Sequence, residues 1–297
     1  MLCRDPYIMG MQAFPCGRCM PCRRQRKRLW THRILLEASL NSDNAFVTLT
    51  YAEDKLPAGG SLRKKDYQDW LKRLRKAVKP LKIRYFVVGE YGDEGGRPHY
   101  HAIIFGLSAC WRGNTKRTNR GVPDASNCCD ICRLVQATWP GGFIDIGTVT
   151  HQSAAYVSGY VTKKMTHRHH PWLQGRDPEF AQMSLKPGIG YAFMHEVASA
   201  LLEHDYLGEG DVPVTLSHGK TQRLLGRYLR KKLRLMLGRD EKALPDEKRQ
   251  KEMRDLYMAS LKDPQFVSIK NTLTEMDAGR VASMEARAEI FKKRGSL

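Results

Sequence analysis

Apolar positions along this chain fall into two rhythms. "AFVTLTY" (Ala45 to Tyr51) is β-branched and aromatic, which predicts a strand. "SLRKKDYQDWLKRLRKAV" sets Leu62, Tyr67, Trp70, Leu71, Leu74 and Val78 at helical spacing, behind Ser61 as a capping residue. "KIRYFVVGE" and "HYHAIIFGL" predict two strands joined by the loop from Tyr91 to Pro98. Ser108 to Asn127 is polar and irregular and reads as an inserted loop, followed by a short helix near Arg133 to Thr138. "GGFIDIGTVT" is a further strand, and "HQSAAYVSGYVTKKMTH" a helix in spite of Gly159. The order β-α-β-β-(α)-β-α predicts one sheet with helices against it.

The flanks differ. Before the first strand, "RRQRKRLWTHRILLEASL" spaces Trp30, Ile34 and Ala38 by four, a helix with one apolar stripe. Beyond about Pro171 the chain reads as helical and charged, with "TQRLLGRYLRKKLRLMLG", from Thr221, the clearest basic amphipathic helix. Three segments are therefore expected: a basic, cysteine-bearing stretch at 1–40, a core at 41–170 with 108–132 inserted, and a mainly helical region at 171–297.

Charge narrows the partners. Fifty Lys and Arg against thirty-one Asp and Glu leave +19 over 297 residues, a surface that attracts polyanions, nucleic acid foremost. Hydrophobic content of 41% suits a folded core. No apolar stretch approaches the roughly 20 residues that span a bilayer, and the N-terminus has no apolar signal core, so a soluble, cytoplasmic protein without a membrane partner is expected. In that compartment eight cysteines point to thiols or metal ligands rather than disulfides.

"GEYGDEGGRPHYHAIIF" carries the first candidate chemistry. Side chains alternate along a strand, so His99 and His101 share a face. In a hairpin that pairs Glu90 with His99, Val88 pairs with His101, and the carboxylate lies beside the imidazoles. That grouping suits a divalent cation with open positions; two surface histidines that happen to alternate are the plainer alternative. Ile103 and Phe105, farther along the same face, can bury as core. "AYVSGYVTKK" adds a second group. On a helix Tyr156 and Tyr160 differ by about 40°, and Lys163 lies within about 20° of Tyr156. Such a stripe serves packing and solvation in many helices, but a phenol beside a cation and a metal-bound phosphate can also attack phosphorus. Gly159 within that helix costs about 1 kcal/mol against alanine and predicts a close approach by another backbone.

In order, "FVTLTY", "GEYG…RPHYHAIIF" and "YVSGYVTKK" resemble the motifs of HUH rolling-circle replication initiators, in particular those of gokushovirus-type microviruses. "PCGRCMPCR" and "KPGIG" (Lys186 to Gly190) are similar to that group too. The resemblance covers roughly Pro15 to Gly190. It implies an α+β HUH endonuclease fold with a central antiparallel sheet of about five strands flanked by helices. It implies Mg²⁺ or Mn²⁺ on His99 and His101, with Glu90 as third ligand, and Tyr156 and Tyr160 as alternating nucleophiles assisted by Lys163. The implied activity is nicking and rejoining of single-stranded DNA at a replication origin, through a 5′-phosphotyrosine, in the cytoplasm of a bacterial host that supplies polymerase and helicase. A relaxase or transposase of the same chemistry is the nearest rival. A zinc-stabilised, non-catalytic nucleic-acid-binding protein is the rival from another class. The segment from Cys110 to Cys132 is longer and richer in cysteine than the resemblance accounts for.

Cys16, Cys19 and Cys22 follow C-x-x-C-x-x-C, a half-site for zinc or an iron–sulfur group that Cys3, His32 or a distant cysteine would complete; reduced thiols in loops are the alternative. Cys110, Cys128, Cys129 and Cys132 form a second candidate, less favoured by spacing because no second C-x-x-C follows at ribbon distance. "SHGKT" (Ser217 to Thr221) lacks the first glycine of a phosphate-binding loop, since Val214 stands there. Arg23 to Arg28 and Arg223 to Arg239 are candidate phosphate contacts, and Tyr91 and Trp111 candidate stacking surfaces for unpaired bases.

Overall fold

Alternation in "NAFVTLTY" becomes the middle of a sheet, with every second side chain fully buried. In a computed structural model that describes residues 2–9, 12–92, 96–163, 171–206, 210–242, 247–260 and 269–294, the elements are as follows. β1 (Tyr7–Met9) and β2 (Gln12–Phe14) precede α1 (Met20–Ala38). Then come β3 (Asn44–Tyr51), α2 (Lys64–Ala77), β4 (Arg84–Tyr91), β5 (Pro98–Phe105), α3 (Asp130–Thr138), β6 (Gly142–Thr148) and α4 (His151–Lys163). β7 (Phe180–Met183), α5 (Phe193–Glu203), β8 (Thr215–His218), β9 (Thr221–Leu224), α6 (Gly226–Met236), α7 (Glu247–Ser260) and α8 (Ile269–Arg294) complete the chain. The fold is α+β, with a five-stranded antiparallel sheet in the order β6-β3-β5-β4-β7.

Helices cover both faces of that sheet. On one, Tyr67, Trp70, Leu71 and Leu74 of α2 and Val135 of α3 pack on Val47, Leu49, Val87, Tyr100, Ile104 and Ile144. On the other, Ile34 of α1 and Ala154 and Val157 of α4 pack on Phe86, Val88, Ile103 and Phe105. Each large apolar side chain buried this way contributes about 1.5–3 kcal/mol. The strand period thus sends β5 residues alternately into a dry core and toward α4.

Two compact units emerge from the contacts: Lys27–Leu207 with Val212–Arg239, and Met1–Arg26 with Gly208–Asp211 and Asp240–Leu297. The first holds the five-stranded sheet, together with a small cluster of Met194, Ala198, Leu225, Leu229 and Leu233 from α5, α6 and their approaches. In the second, Arg4 pairs with Glu285 and Asp5 with Lys270.

Several expectations need correction. The region after Pro171 is not purely helical: β7 adds the fifth strand beside β4, and β8 and β9 form a hairpin. Four residues are too few for alternation to announce a strand, and Phe180 joins the sheet by laying its ring on Gly89, where a Cβ would come within 2.7 Å of it. The basic helix begins at Gly226, not Thr221, because Gly219 turns the chain with φ +58° and Thr221–Leu224 pairs with β8. α3 starts at Asp130, three residues before the expected start, behind Cys129 as its N-cap. Ser61 does not cap α2, which starts at Lys64; its hydroxyl accepts from the Asp177 N–H instead.

Candidate functional site

The β4–β5 register is the one the hairpin predicts: Glu90 faces His99 and Val88 faces His101. Pairing with β3 on the other side sets Thr48 opposite His101. All of these meet beneath α4. Glu90 Oε1 lies 2.7 Å from His99 Nε2 and 2.8 Å from His101 Nε2, and the Tyr156 hydroxyl donates to the same oxygen over 3.0 Å. Tyr160 in turn donates to Tyr156 Oη over 2.9 Å, the two rings 5.0 Å apart. The structure therefore brings Glu90, His99, His101, Tyr156 and Tyr160 into one cluster.

Each imidazole is oriented from behind. His99 Nδ1 donates to the Arg97 carbonyl at 3.0 Å; a carbonyl only accepts, so Nδ1 carries the proton and a neutral His99 presents its Nε2 lone pair. His101 Nδ1 bonds Thr48 Oγ1 at 2.9 Å, and its ring stacks on Phe46 with 8° between planes. Glu90 is 2% exposed, and its Oε2 is buried with no hydrogen-bond partner among the described residues. An orphaned carboxylate oxygen beside two aligned imidazoles fits a cation, and the three ligand atoms lie within 4.8 Å of one another.

Charge is tuned by the same contacts. Burial opposes ionisation of Glu90, yet hydrogen bonds from His101 and His99 hold its pKa down at about 2. Burial also works against His99, but the hydrogen bond to Glu90 and the Arg97 carbonyl raise its pKa above the ordinary value. For His101 burial dominates and lowers the pKa, against the pull of Glu90. Tyr160 is pushed up, by burial first and then by its bonds to Tyr156 and the Glu90 carboxylate, so its proton is firmly held.

Thr48, Phe46 and the Arg97 carbonyl escaped the sequence reading. The alternation of β3 puts Phe46 and Thr48 on one face, but which strand that face adjoins depends on the sheet order. The side chain of Lys163, the last residue of α4, lies outside the described residues. No backbone explains Gly159; the Lys27 side chain does, since a Cβ there would sit 3.6 Å from its Nζ. Tyr91 is 2% exposed and donates to the Asp177 carbonyl, so it offers no face to a base, whereas Trp111 is 73% exposed. α6 is less open than its charge suggests, with Leu229, Leu233 and Arg234 all buried.

Residues 44–165, the span from β3 through α4, match the family model for replication-associated proteins of the ORF2 type. The chain resembles the microvirus-type rolling-circle initiators. Replication-associated protein VP4 of Bdellovibrio phage phiMH2K is 34% identical over 164 residues, covering 52% of this chain and 50% of that protein. Replication-associated protein ORF2 of Spiroplasma virus 4 is 31% identical over 207 residues, 67% of this chain and 62% of that one. Replication-associated protein ORF4 of Chlamydia phage 1 is 31% identical over 157 residues, 50% and 38%. The chain spans about half the length of the curated relatives it matches. No solved structure matches it. No helix among the described residues is long and apolar enough to cross a membrane.

Proposed function

We propose that this chain nicks single-stranded DNA at a replication origin and later rejoins it through a 5′-phosphotyrosine, starting and ending rolling-circle replication of a small phage genome in the cytoplasm of its bacterial host. One observation carries the reading: a partly exposed phenol, Tyr156, shares Glu90 Oε1 with two oriented imidazoles beside an unpartnered carboxylate oxygen. Glu90, His99 and His101 would hold Mg²⁺ or Mn²⁺. An ion there supplies positive charge to the oxygens of a scissile phosphate.

The two phenols are not equivalent. Tyr160 donates to Tyr156 Oη, and a hydrogen bond received by an oxygen favours its anion. Its own raised pKa keeps Tyr160 the donor. Tyr156, with 43% of its surface exposed, is the first nucleophile. Its Oη bonds to phosphorus and the bond from phosphorus to the 3′ oxygen breaks. That oxygen leaves as a 3′-hydroxyl, taking up one proton for the one the phenol gives up. The bond energy is kept in the ester, so rejoining needs no nucleotide. Once Tyr156 is esterified, Tyr160 serves the second transfer, with Lys163 as the assisting cation on the same helix. The 3′-hydroxyl primes a host polymerase. Unwinding falls to a host helicase, in keeping with Ser217 to Thr221 closing a β-hairpin rather than a phosphate loop.

The test is direct. Labelled single-stranded origin DNA and Mn²⁺ should leave a denaturant-resistant protein adduct, lost in the Tyr156→Phe/Tyr160→Phe variant. A protein that only binds nucleic acid would retard the DNA and form no adduct.

A further inference from the structure

Eight thiols gather in two groups of four. In one, Cys3 precedes β1, Cys16 follows β2, Cys19 abuts α1, and Cys22 sits in the first turn of α1. In the other, Cys110 comes from the insertion after β5, Cys128 and Cys129 lead into α3, and Cys132 lies in its first turn. Within each group all four Sγ atoms lie within 4.8 Å of one another. We propose that each group is a structural zinc site with four thiolate ligands, and that neither takes part in the strand-transfer chemistry.

Distances argue first. Tetrahedral zinc with Zn–S bonds of about 2.3 Å separates its sulfurs by about 3.8 Å. Cys16 and Cys22 Sγ are 4.0 Å apart, and Cys3 and Cys19 Sγ 3.9 Å. In the second group, Cys110 Sγ lies 3.7 Å from both Cys128 and Cys129 Sγ, and Cys129 Sγ lies 3.5 Å from Cys132 Sγ. A disulfide needs about 2.05 Å. An iron–sulfur cluster mounts its cysteines on different irons, which spreads their sulfurs beyond such a cage.

Backbone geometry argues independently. Metal-bound thiolates carry charge that neighbouring N–H groups neutralise. In the first group the N–H groups of Arg18 and Cys19 point at Cys16 Sγ, that of Cys16 at Cys3 Sγ, and that of Arg4 at Cys19 Sγ, over 3.3 to 3.5 Å. Gly17, with φ +74°, makes the turn that aims two of them. In the second, the Lys116 N–H points at Cys128 Sγ over 3.3 Å. His32, considered as a fourth ligand, is engaged elsewhere, its Nε2 2.9 Å from that of His218.

The second site explains the insertion. Thr115 Oγ1 lies 3.5 Å from Cys132 Sγ and accepts from the Ile146 N–H, and Arg117 pairs with Asp145. Zinc at Cys110, Cys128, Cys129 and Cys132 therefore ties the insertion down along β6, an edge strand of the sheet.

The experiment counts metal in the full chain, purified under reducing conditions, with His99→Ala/His101→Ala as background so that zinc at the nicking site is not counted. Two zinc ions per chain are expected, one for each cysteine group, falling to one in Cys19→Ser and to one in Cys129→Ser. Should either variant fail to fold, mercurial titration of the unsubstituted-cysteine chain should release two zinc ions as eight thiols react. Thiols that react without zinc release, bound iron with visible absorption, or disulfides under the same conditions would overturn the proposal. It stands apart from the strand-transfer reading, since a chain that forms no DNA adduct could still bind both ions.

Discussion

Two pairs of tyrosines meet across this fold, and they are built to opposite ends. Tyr51 and Tyr100 bring their hydroxyls to 2.7 Å on the α2 face of the sheet, where Tyr51 is 3% exposed and Tyr100 0%. Asp66, 2.7 Å from the Tyr51 hydroxyl, and the Arg63 backbone complete their bonding. Burial, then the contact with Tyr100, raises the pKa of Tyr51; burial pushes Tyr100 up to about 12. Tyr156 and Tyr160 make almost the same contact at 2.9 Å, but at a partly open surface and against a carboxylate that has an oxygen to spare. A phenol pair as such says nothing of function. What separates the two is access to solvent and an adjoining polar group left unsatisfied.

Substituting one member of each pair should break that comparison most sharply. Tyr156→Phe should cut formation of the first DNA adduct on the order of 10²–10³-fold, Tyr160 serving as a poorer substitute, with little change in unfolding midpoint. Tyr51→Phe should do the reverse, costing about 1–2 kcal/mol of stability by urea denaturation, with the adduct yield per folded molecule unchanged. Equal loss of adduct in both variants would erase the distinction.

Thr48→Val comes next. It removes the bond to His101 Nδ1 but keeps the shape, so Mn²⁺ should bind about 10–100-fold more weakly while adduct formation recovers at saturating metal. A loss that saturating Mn²⁺ does not repair would mean that Thr48 supports the fold rather than the orientation of His101.

Thr48 also marks where sequence reasoning stops. The Glu90–His99 pairing was legible because one short loop fixes the register of a hairpin, and the tyrosine stripe because four residues make about one helical turn. Contacts between elements distant in sequence were not: Thr48 lies 53 residues from His101, and nothing local orders β3 beside β5. Cys3 joins its cluster across 16 residues, and Cys110 its own across 19, for the same reason. β7 was lost because four residues carry too little period, and Ser61 misled because its side chain had a better partner in the Asp177 N–H.

The smallest effect tests the charge difference between the pairs. In the metal-free chain, His99 has a folded pKa above its unfolded value of about 6.5. Its stabilisation is therefore complete below that pH and lost as pH rises through the raised value. Glu90 runs the other way: held at about 2 against about 4.3 unfolded, it contributes above the latter and loses its contribution as pH falls toward the former. His101, with its pKa lowered chiefly by burial, destabilises the fold as pH falls below its unfolded value and so offsets part of the gain from His99. The urea midpoint of the metal-free chain should decline gently on the alkaline side, and His99→Gln should flatten that decline. Tyr51→Phe should shift the whole curve down and leave its shape alone, because its pair holds no group that titrates in this range. Mn²⁺ competes with a proton for His99 Nε2, so the stabilisation it adds should grow across the pH interval in which the metal-free chain weakens. A curve that Mn²⁺ raises equally at every pH would place the ion somewhere other than His99.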